Sequence, residues 1–110
     1  MGENAALACL EQKGMEMLDR RYRSPRGEID LIMLDGDTLV FAEVKSREHA
    51  PSLSAQAAVT PRKQRNLINT ALCYLGQHPE YAQHLLRFDV ITVTKEGIFH
   101  IPNAFQGSEW

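Results

Sequence analysis

Two apolar segments, residues 28–34 and 38–46, give the strongest strand signal in the chain. Both alternate or run continuously in Ile, Leu, Val and Phe, and Asp35-Gly36-Asp37 lies between them. A glycine flanked by aspartates supplies the positive φ values that hairpin turns need. The pattern therefore predicts two antiparallel strands joined by a tight turn.

The remaining pattern predicts two helices and three further strands. Thr60-Pro61 indicates a helix start, because threonine is a good N-cap and proline fits the first helical position. Gly76 and Pro79 are expected to end that helix. The predicted elements are a helix over 3–13, a weak strand over 15–23, a helix from 61 to about 76, a strand over 85–94 and a short strand over 98–101.

This order of elements predicts an α/β fold, in which helices cover at least one face of the sheet. The chain has 110 residues, which is the length of one domain with one core, spanning 1–110. Residues 48–58 have no period and contain one proline and two serines, so a mobile loop is predicted there.

The composition excludes several classes of protein. Hydrophobic residues make up 44% and charged residues 24%, which argues against wholesale disorder. No apolar run approaches the ~18 residues needed to span a bilayer, and the N-terminus lacks the features of a signal peptide. Cys9 and Cys73 have no disulfide or zinc spacing and are expected to be reduced core thiols. A cytoplasmic location is therefore expected.

The charge is balanced overall but unevenly distributed. A net charge of -2 argues against a protein that coats nucleic acid non-specifically. Nine of the 12 Lys and Arg residues nevertheless fall in three clusters, which would form a basic face along phosphates if folding brings them together. A solvated surface is the alternative. The clusters are Arg20, Arg21, Arg23 and Arg26; Lys45 and Arg47; and Arg62, Lys63 and Arg65.

The predicted hairpin gathers four charged residues at the end far from its turn. Side chains in a strand repeat every two residues, so Glu28 and Asp30 should share one face and Glu43 and Lys45 one face. If Gly36-Asp37 is the loop, Asp30 lies opposite Glu43. If Asp35-Gly36 is the loop, Glu28 lies opposite Glu43 and Asp30 is a diagonal neighbour on the same face. Both of these two-residue loops bring the four charges together, whereas sliding one strand along the other by a single residue would put its charges on the opposite face.

Two adjacent carboxylates need a compensating partner. At ~4 Å they repel by about 4 kcal/mol at an effective dielectric of ~20. A cation, a shared proton or a nearby lysine such as Lys45 would sustain the pair. Mg²⁺ suits the first option, because it takes one or two carboxylates and completes its shell with water and phosphate oxygens. In the alternative interpretation, Glu43 and Lys45 form a solvated strand end and Asp30 pairs with an arginine.

Asp30, followed after a short hairpin by Glu43-Val44-Lys45, resembles the D…ExK core of the PD-(D/E)xK nuclease superfamily. Over nearly its whole length the chain also resembles the bacterial YraN family, called UPF0102. The segments that carry this resemblance are Gly2-Glu3-Asn4-Ala5-Ala6, Gly27-Glu28-Ile29-Asp30-Leu31-Ile32, Phe41-Ala42-Glu43-Val44-Lys45-Ser46-Arg47, Lys63-Gln64-Arg65, Arg87-Phe88-Asp89-Val90 and Asn103-Ala104-Phe105.

The resemblance implies a restriction-endonuclease-like (tRNA-endonuclease-like) α/β/α sandwich with a mixed central sheet, and kinship with Holliday-junction resolvases. It implies that Asp30 and Glu43 bind Mg²⁺ or Mn²⁺, which would act as a Lewis acid and generate hydroxide. Lys45 would orient the attacking water and offset charge on the phosphate. Glu3, which matches a helical glutamate of the resolvases, would add a ligand or hold a metal-bound water. Glu28 would be a supporting carboxylate.

Cations also cluster in the first turn of the predicted helix that starts at residue 61. They oppose the helix dipole at a cost of roughly several tenths of a kcal/mol each, which favours phosphate contact over a solvated surface. The candidate nucleic-acid-binding residues are Arg26, Arg47, Arg62, Lys63, Gln64 and Arg65.

Asp89 lies between Phe88 and Val90 in an apolar strand. Its favoured role is that of a buried partner for an arginine, and a supporting role in catalysis is the alternative. The four histidines, His49, His78, His84 and His100, have no ligand spacing and are expected on the surface or in loops.

The leading hypothesis is a Mg²⁺-dependent nuclease-like protein that hydrolyses phosphodiesters in DNA, including branched DNA. Its partner would be nucleic acid and not a membrane, and the two-fold symmetry of junction resolvases suggests a homodimer by analogy. The alternative is a non-catalytic module of a DNA-processing complex, which binds either nucleic acid or a protein partner.

Overall fold

The structure, a computed structural model, describes residues 2–49 and 59–105. Apart from Glu48 and His49, the loop predicted over 48–58 lies outside the described residues. The elements are α1 (Gly2–Gln12), β1 (Glu16–Ser24), β2 (Gly27–Asp35), β3 (Thr38–Ser46), α2 (Pro61–Gln77), a 3₁₀ turn (Pro79–Tyr81), β4 (Leu85–Thr94) and β5 (Gly97–Phe105).

The five strands form one sheet in the order β1-β2-β3-β4-β5. β3 and β4 are parallel, and every other neighbouring pair is antiparallel. Parallel neighbours need a crossover connection, and α2 lies within the one that joins β3 to β4. The predicted α/β class with a mixed sheet is therefore confirmed.

A helix covers each face of the sheet. On one face, α1 packs onto β2, β3 and β4, and on the other α2 packs mainly onto β2. The α1-side core contains Ala6, Leu10, Met15, Leu31, Met33, Val40, Ala42 and Ile91, and the α2-side core contains Ile29, Ile32, Leu39, Phe41, Val59, Leu67, Ala71, Tyr74, Phe88 and Val90. The arrangement is the predicted α/β/α sandwich.

Helix α2 begins as predicted. The Thr60 side chain accepts a hydrogen bond from the backbone N–H of Lys63 at 3.2 Å, and Pro61 occupies the first helical position. This cap satisfies one of the backbone donors left free at a helix start. It also fixes the side chains of the first turn relative to the sheet, which matters for the site below. The helix continues through Gly76 and ends at Gln77.

Both edge strands are more regular than their sequences predict. β1, predicted to be weak, pairs along β2 with one register shift between Met17 and Asp19. β5 runs over 97–105, well beyond the predicted 98–101, although it contains Pro102. A proline is tolerated on an edge strand because its missing N–H faces away from the sheet. Pairing with a neighbour therefore decides both strands more than local pattern does.

Within the described residues, no helix is long and apolar enough to cross a membrane. Cys9 and Cys73 carry free thiols, as predicted, but both are half-buried and not part of the core.

Candidate functional site

The β2–β3 hairpin adopts one of the two predicted registers. Asp35 pairs with Thr38 and Leu31 with Ala42, so the loop is Gly36-Asp37. Gly36 has φ 63°, the left-handed conformation that glycine adopts without a steric penalty. Continued toward the open end, this register sets Asp30 opposite Glu43.

Asp30 lies where the pairing of β2 with β3 stops. The last paired residues are Leu31 and Ala42. One residue further, Asp30 Oδ2 accepts a hydrogen bond from the backbone N–H of Val44 at 2.7 Å. A carboxylate therefore takes the place of a backbone acceptor, and it is fixed against the neighbouring strand.

The side-chain alternation of β2 also changes at Asp30. Ile29 packs in the α2-side core together with Ile32, whereas Leu31 packs in the α1-side core. Regular alternation would put Ile29 and Leu31 on one face. On the neighbouring β1, Arg21 lies between Arg20 and Tyr22, which pair with Leu31 and Ile29, and its φ of 54° is unusual for a non-glycine residue. An irregular backbone on both strands thus accompanies the candidate site.

Because the alternation breaks between Ile29 and Leu31, the two-residue period that predicted Glu28 and Asp30 on one face does not hold here. The Nε of Arg23, its partner across β1, donates to Glu28 Oε2 at 2.7 Å. Glu28 still lies close enough to Asp30 to act on its ionisation. Its position therefore fits the supporting role that the resemblance implies.

Burial and neighbouring charges change the ionisation of Asp30. Removal from water raises its pKa to about 6, with further increases from the negative charges of Glu43, Glu3 and Glu28, while the hydrogen bond from Val44 opposes the increase. Like charges raise the pKa of a carboxyl because they disfavour its ionised form. Three acidic residues from β2, β3 and α1 are therefore near enough to act on the charge of Asp30, and a cation beside Asp30 would relieve the repulsion.

Glu43 is mostly buried and faces a lysine of α2. Its side chain is 14% exposed, and its Oε2 lies 3.3 Å from the Nζ of Lys63. Lys45, two residues along β3, is close to the same groups: burial lowers its pKa, Arg47 and Lys63 lower it further, and Glu43 opposes the change. Glu43, Lys45 and Lys63 thus form one electrostatic cluster.

Glu3 reaches the site from the first turn of α1. It accepts a hydrogen bond from Arg21 Nε at 3.0 Å and lies 3.5 Å from Arg20 Nη2. Arg20 Nη2 also donates to Asn4 Oδ1 at 2.9 Å. The predicted fourth acidic residue is therefore near Asp30, but two arginines already hold its carboxylate.

The acidic residues suit a metal ion that needs few protein ligands. In the described ranges, no group of three or more His, Cys, Asp or Glu is placed to hold a metal ion. Mg²⁺ commonly takes one or two carboxylates and keeps several waters. Asp30 and Glu43 fit that requirement, because the hydrogen bond that opposes the raised pKa of Asp30 comes from a backbone N–H and the charges that raise this pKa are those of other carboxylates. Mg²⁺ or Mn²⁺ on these two carboxylates is accordingly compatible with the donor set.

The predicted nucleic-acid-binding residues differ in their surroundings. Gln64 is half-buried, and its Nε2 donates to the carbonyl of Val59 at 2.8 Å, so it supports the backbone before α2. Arg47 donates to the carbonyl of Ser46, and Arg26 lies in the β1–β2 turn. The residues with exposed side chains are Arg26, Arg47, Arg62, Lys63 and Arg65.

Asp89 belongs to a separate buried network. It is 1% exposed, and its two oxygens accept hydrogen bonds from Arg87 at 2.9 and 3.0 Å. It also accepts the backbone N–H of Asn103 and lies 2.7 Å from His100 Nε2. Burial acts to raise the pKa of Asp89, but His100, Arg87 and Asn103 together bring it below its usual value. The favoured role of Asp89, a buried partner for an arginine, is the one these contacts describe.

The prediction that His100 lies on the surface or in a loop is wrong. Its side chain is 5% exposed, and its Nδ1 lies 2.7 Å from the Nζ of Lys13. Its position opposite Ile91 turns it into the α1-side layer, where Asp89 also lies. An isolated histidine without ligand spacing gave no sign of this partnership, because the pairing of β4 with β5 creates it.

Comparison with known proteins decides the family. The sequence profile described as "Uncharacterised protein family UPF0102" matches residues 2–93. The chain belongs to the UPF0102 family. The matched range contains every candidate site residue discussed above, from Glu3 to Asp89, so the UPF0102 resemblance is confirmed over the whole site.

Several UPF0102 proteins align along nearly the full chain. A UPF0102 protein of Stutzerimonas stutzeri is 42% identical over 94% of this chain and 90% of its own length. UPF0102 proteins of Herminiimonas arsenicoxydans and Francisella tularensis are each 41% identical over 96% of this chain, and over 84% and 93% of their own lengths. These names carry the family and no activity, so the function has to be argued from the site.

Proposed function

We propose that this protein is a Mg²⁺- or Mn²⁺-dependent nuclease that hydrolyses phosphodiesters in DNA, including branched DNA. The observation that carries the proposal is the placement of Asp30. Its carboxylate is fixed by Val44 at the end of the β2–β3 ladder, beside Glu43, and its pKa of about 6 reflects burial among other acidic groups. The buried Asp89, by contrast, pairs with Arg87 and has a lowered pKa.

Each residue of the cluster has a role in this chemistry. Asp30 and Glu43 would hold the metal ion, which when bound would polarise the phosphate and lower the pKa of water. Lys45 lies on the same strand two residues beyond Glu43, and burial together with Arg47 and Lys63 lowers its pKa. It would orient the attacking water and offset the charge that builds on the phosphate.

The exposed cations beside the cluster support a polyanionic substrate. Arg62, Lys63 and Arg65 project from the first turn of α2, and Arg47 lies just after the strand of Glu43. A polyanion neutralises such groups and releases its own counter-ions, which drives binding despite a net charge of -2. We therefore propose DNA as the partner, because the exposed cations would bind its phosphates and the acidic cluster would hold the metal ion.

A cleavage panel tests the proposal. Duplex, flap, four-way junction, single-stranded DNA and RNA would be incubated with Mg²⁺ or Mn²⁺ and with wild type, Asp30→Ala, Glu43→Ala or Lys45→Ala. We expect wild type to cut a DNA substrate and each variant to lose that activity. Equal cleavage by all four proteins would identify a contaminant and would overturn the assignment of the site.

A second candidate function is a non-catalytic nucleic-acid-binding or interaction module of a DNA-processing complex. The observation that favours it is that arginines hold Glu3 and Lys63 lies against Glu43, so the acidic groups are partly neutralised without metal. Binding that survives in Asp30→Ala, together with no cleavage by wild type, would support the module and exclude the nuclease.

Location and assembly follow from the same proposal. A protein that acts on bacterial DNA would work in the cytoplasm, and a two-fold homodimer would match the two-fold symmetry of a four-way junction. Light scattering with and without a junction oligonucleotide would measure the mass, and a monomer in both conditions would exclude the dimer.

A further inference from the structure

Lys63 has an unusual environment for a surface lysine. It lies in the first turn of α2, where the helix dipole disfavours a cation. The Thr60 cap binds the backbone N–H of this same residue, so the start of its side chain is fixed. Its side chain then reaches the sheet, and its Nζ lies 3.3 Å from Glu43 Oε2. The fold therefore directs a lysine from a helix onto one carboxylate of the candidate metal site.

The two side chains of this contact differ in their exposure to solvent. The Glu43 side chain is 14% exposed, whereas that of Lys63 is 48% exposed. Lys63 is therefore the more exposed partner of a carboxylate that is mostly withdrawn from water. The same ammonium acts on Lys45, whose pKa it helps to lower. It is thus close to both of the predicted reactive residues of β3.

A metal ion and this ammonium would compete for one carboxylate. A divalent cation on Glu43 would repel Lys63 at a distance of a few ångströms and would compete with it for the negative charge of the same carboxylate. Lys63 is half-exposed and attached through a flexible stem, so it can move away without a change in the backbone. A displaced ammonium at the mouth of the site would be available to a phosphate.

We propose that Lys63 is a positioning residue that neutralises Glu43 in the metal-free protein, is displaced when the metal binds, and then contacts the phosphate backbone of the substrate. This inference rests on the proposed function, because it assumes a metal on Asp30 and Glu43. It adds a coupling between metal binding and substrate binding, because the Lys63 ammonium that the metal displaces from Glu43 would then contact a phosphate of the DNA.

Mg²⁺ titration of the metal-free protein by calorimetry tests the competition without any activity measurement. We expect Lys63→Met to bind Mg²⁺ roughly three- to tenfold more tightly than wild type, because the competing cation is gone. Lys63→Arg should remain near wild type, since it keeps the charge. Lys95→Met is the matched control, because Lys95 forms a similar surface pair with Glu48 at 3.1 Å and its loss changes the net charge equally.

The substrate arm uses a short DNA duplex with Ca²⁺, under conditions chosen to allow binding without cleavage. Lys63→Met should bind the duplex more weakly, and the slope of log affinity against log salt should fall by about one phosphate contact relative to wild type. If the Glu43–Lys63 pair were purely structural, Lys63→Met would lower thermal stability and would leave the affinities for Mg²⁺ and for DNA unchanged.

The outcomes separate this inference from the proposed function. If wild type binds Mg²⁺ in a manner that requires Asp30, and Lys63→Met does not bind it more tightly than Lys95→Met does, the role of Lys63 is overturned and the metal site stands. If wild type shows no Mg²⁺ binding that depends on Asp30 or Glu43, the proposed function is overturned and this inference with it.

Discussion

Asp30 Oδ2 lies 2.7 Å from the backbone nitrogen of Val44, one residue beyond the last paired residues of β2 and β3. This bond gives Asp30 two functions at once. The carboxylate holds the strands together where their backbone pairing ends, and it stays beside Glu43 with a raised pKa. The structural and the chemical contribution of Asp30 can therefore be separated by substitution.

Asp30→Asn and Asp30→Ala form the pair that separates them. An asparagine side chain can still accept the Val44 N–H, whereas alanine leaves that half-buried donor without its partner. We expect Asp30→Ala to be less stable than Asp30→Asn by roughly 1–3 kcal/mol in urea unfolding. Both variants should lose Mg²⁺ binding by calorimetry, because both remove the charge. Equal stability of the two variants would show that the Val44 bond contributes nothing to folding.

The raised pKa of Asp30 predicts a specific pH dependence of stability. The pKa of Asp30 is about 6 in the folded protein, whereas the ordinary value for an aspartate is 3.8. Between these two pH values the folded protein therefore binds more protons than the unfolded chain. The contribution of Asp30 is therefore most favourable at the acidic end and is lost as pH rises through about 6. After allowance for solvent screening, roughly 1–2 kcal/mol should be lost.

The measurement is the difference in free energy of unfolding between wild type and Asp30→Asn, without metal, from pH 4 to pH 7. The difference cancels other titrating groups, including Asp89, whose lowered pKa acts in the opposite direction. Mg²⁺ should restore the lost stability of wild type at pH 7, because it binds the ionised carboxylate, and it should leave the variant unchanged. A difference that stays constant across this range would contradict the raised pKa.

Local signals predicted the hairpin and the start of α2 because a few adjacent residues determine them. Gly36 between aspartates sets the turn, and a two-residue turn leaves few registers. Thr60-Pro61 likewise contains both the cap and the first helical residue. The register set by this turn leads toward Asp30 opposite Glu43, which is why the proximity of these two candidate residues could be predicted.

The partners of the site residues could not be predicted in this way. Arg21 meets Glu3, and Lys63 meets Glu43, through contacts between a helix and the sheet. Such contacts depend on how α1 and α2 lie on their faces, which no local pattern encodes. The break in alternation at Ile29 has the same origin, since packing under α2 overrides the two-residue period of the strand.

Glu3 supplies a prediction about the direction of a pKa change. Its negative charge helps to raise the pKa of Asp30, so Glu3→Gln should lower that pKa below about 6. In this variant, the Asp30 contribution to stability should be lost at a lower pH than in wild type. Carbon NMR of the Asp30 carboxyl would measure the pKa directly. Because exposed ion pairs contribute little, the loss of contacts with Arg20 and Arg21 should cost at most about 1 kcal/mol.

If Glu3 were itself a metal ligand, the same variant would lose Mg²⁺ affinity as strongly as Asp30→Asn does. We expect a smaller loss, because arginines already hold the Glu3 carboxylate. A Glu28→Gln variant is a suitable control, since Glu28 has the weakest of the three carboxylate effects on Asp30 and also pairs with an arginine.

Lys45 allows metal binding and chemistry to be distinguished. It follows Glu43 by two residues, and burial together with Arg47 and Lys63 lowers its pKa. In the proposed nuclease, Lys45→Met should reduce cleavage by roughly 10²–10⁴-fold, the range for a positioned acid–base or charge-stabilising group. Mg²⁺ affinity should be unchanged or slightly tighter, because a nearby positive charge has been removed. Single-turnover cleavage alongside calorimetry measures both quantities, and a parallel loss of metal binding would show that Lys45 maintains the site and takes no part in the reaction.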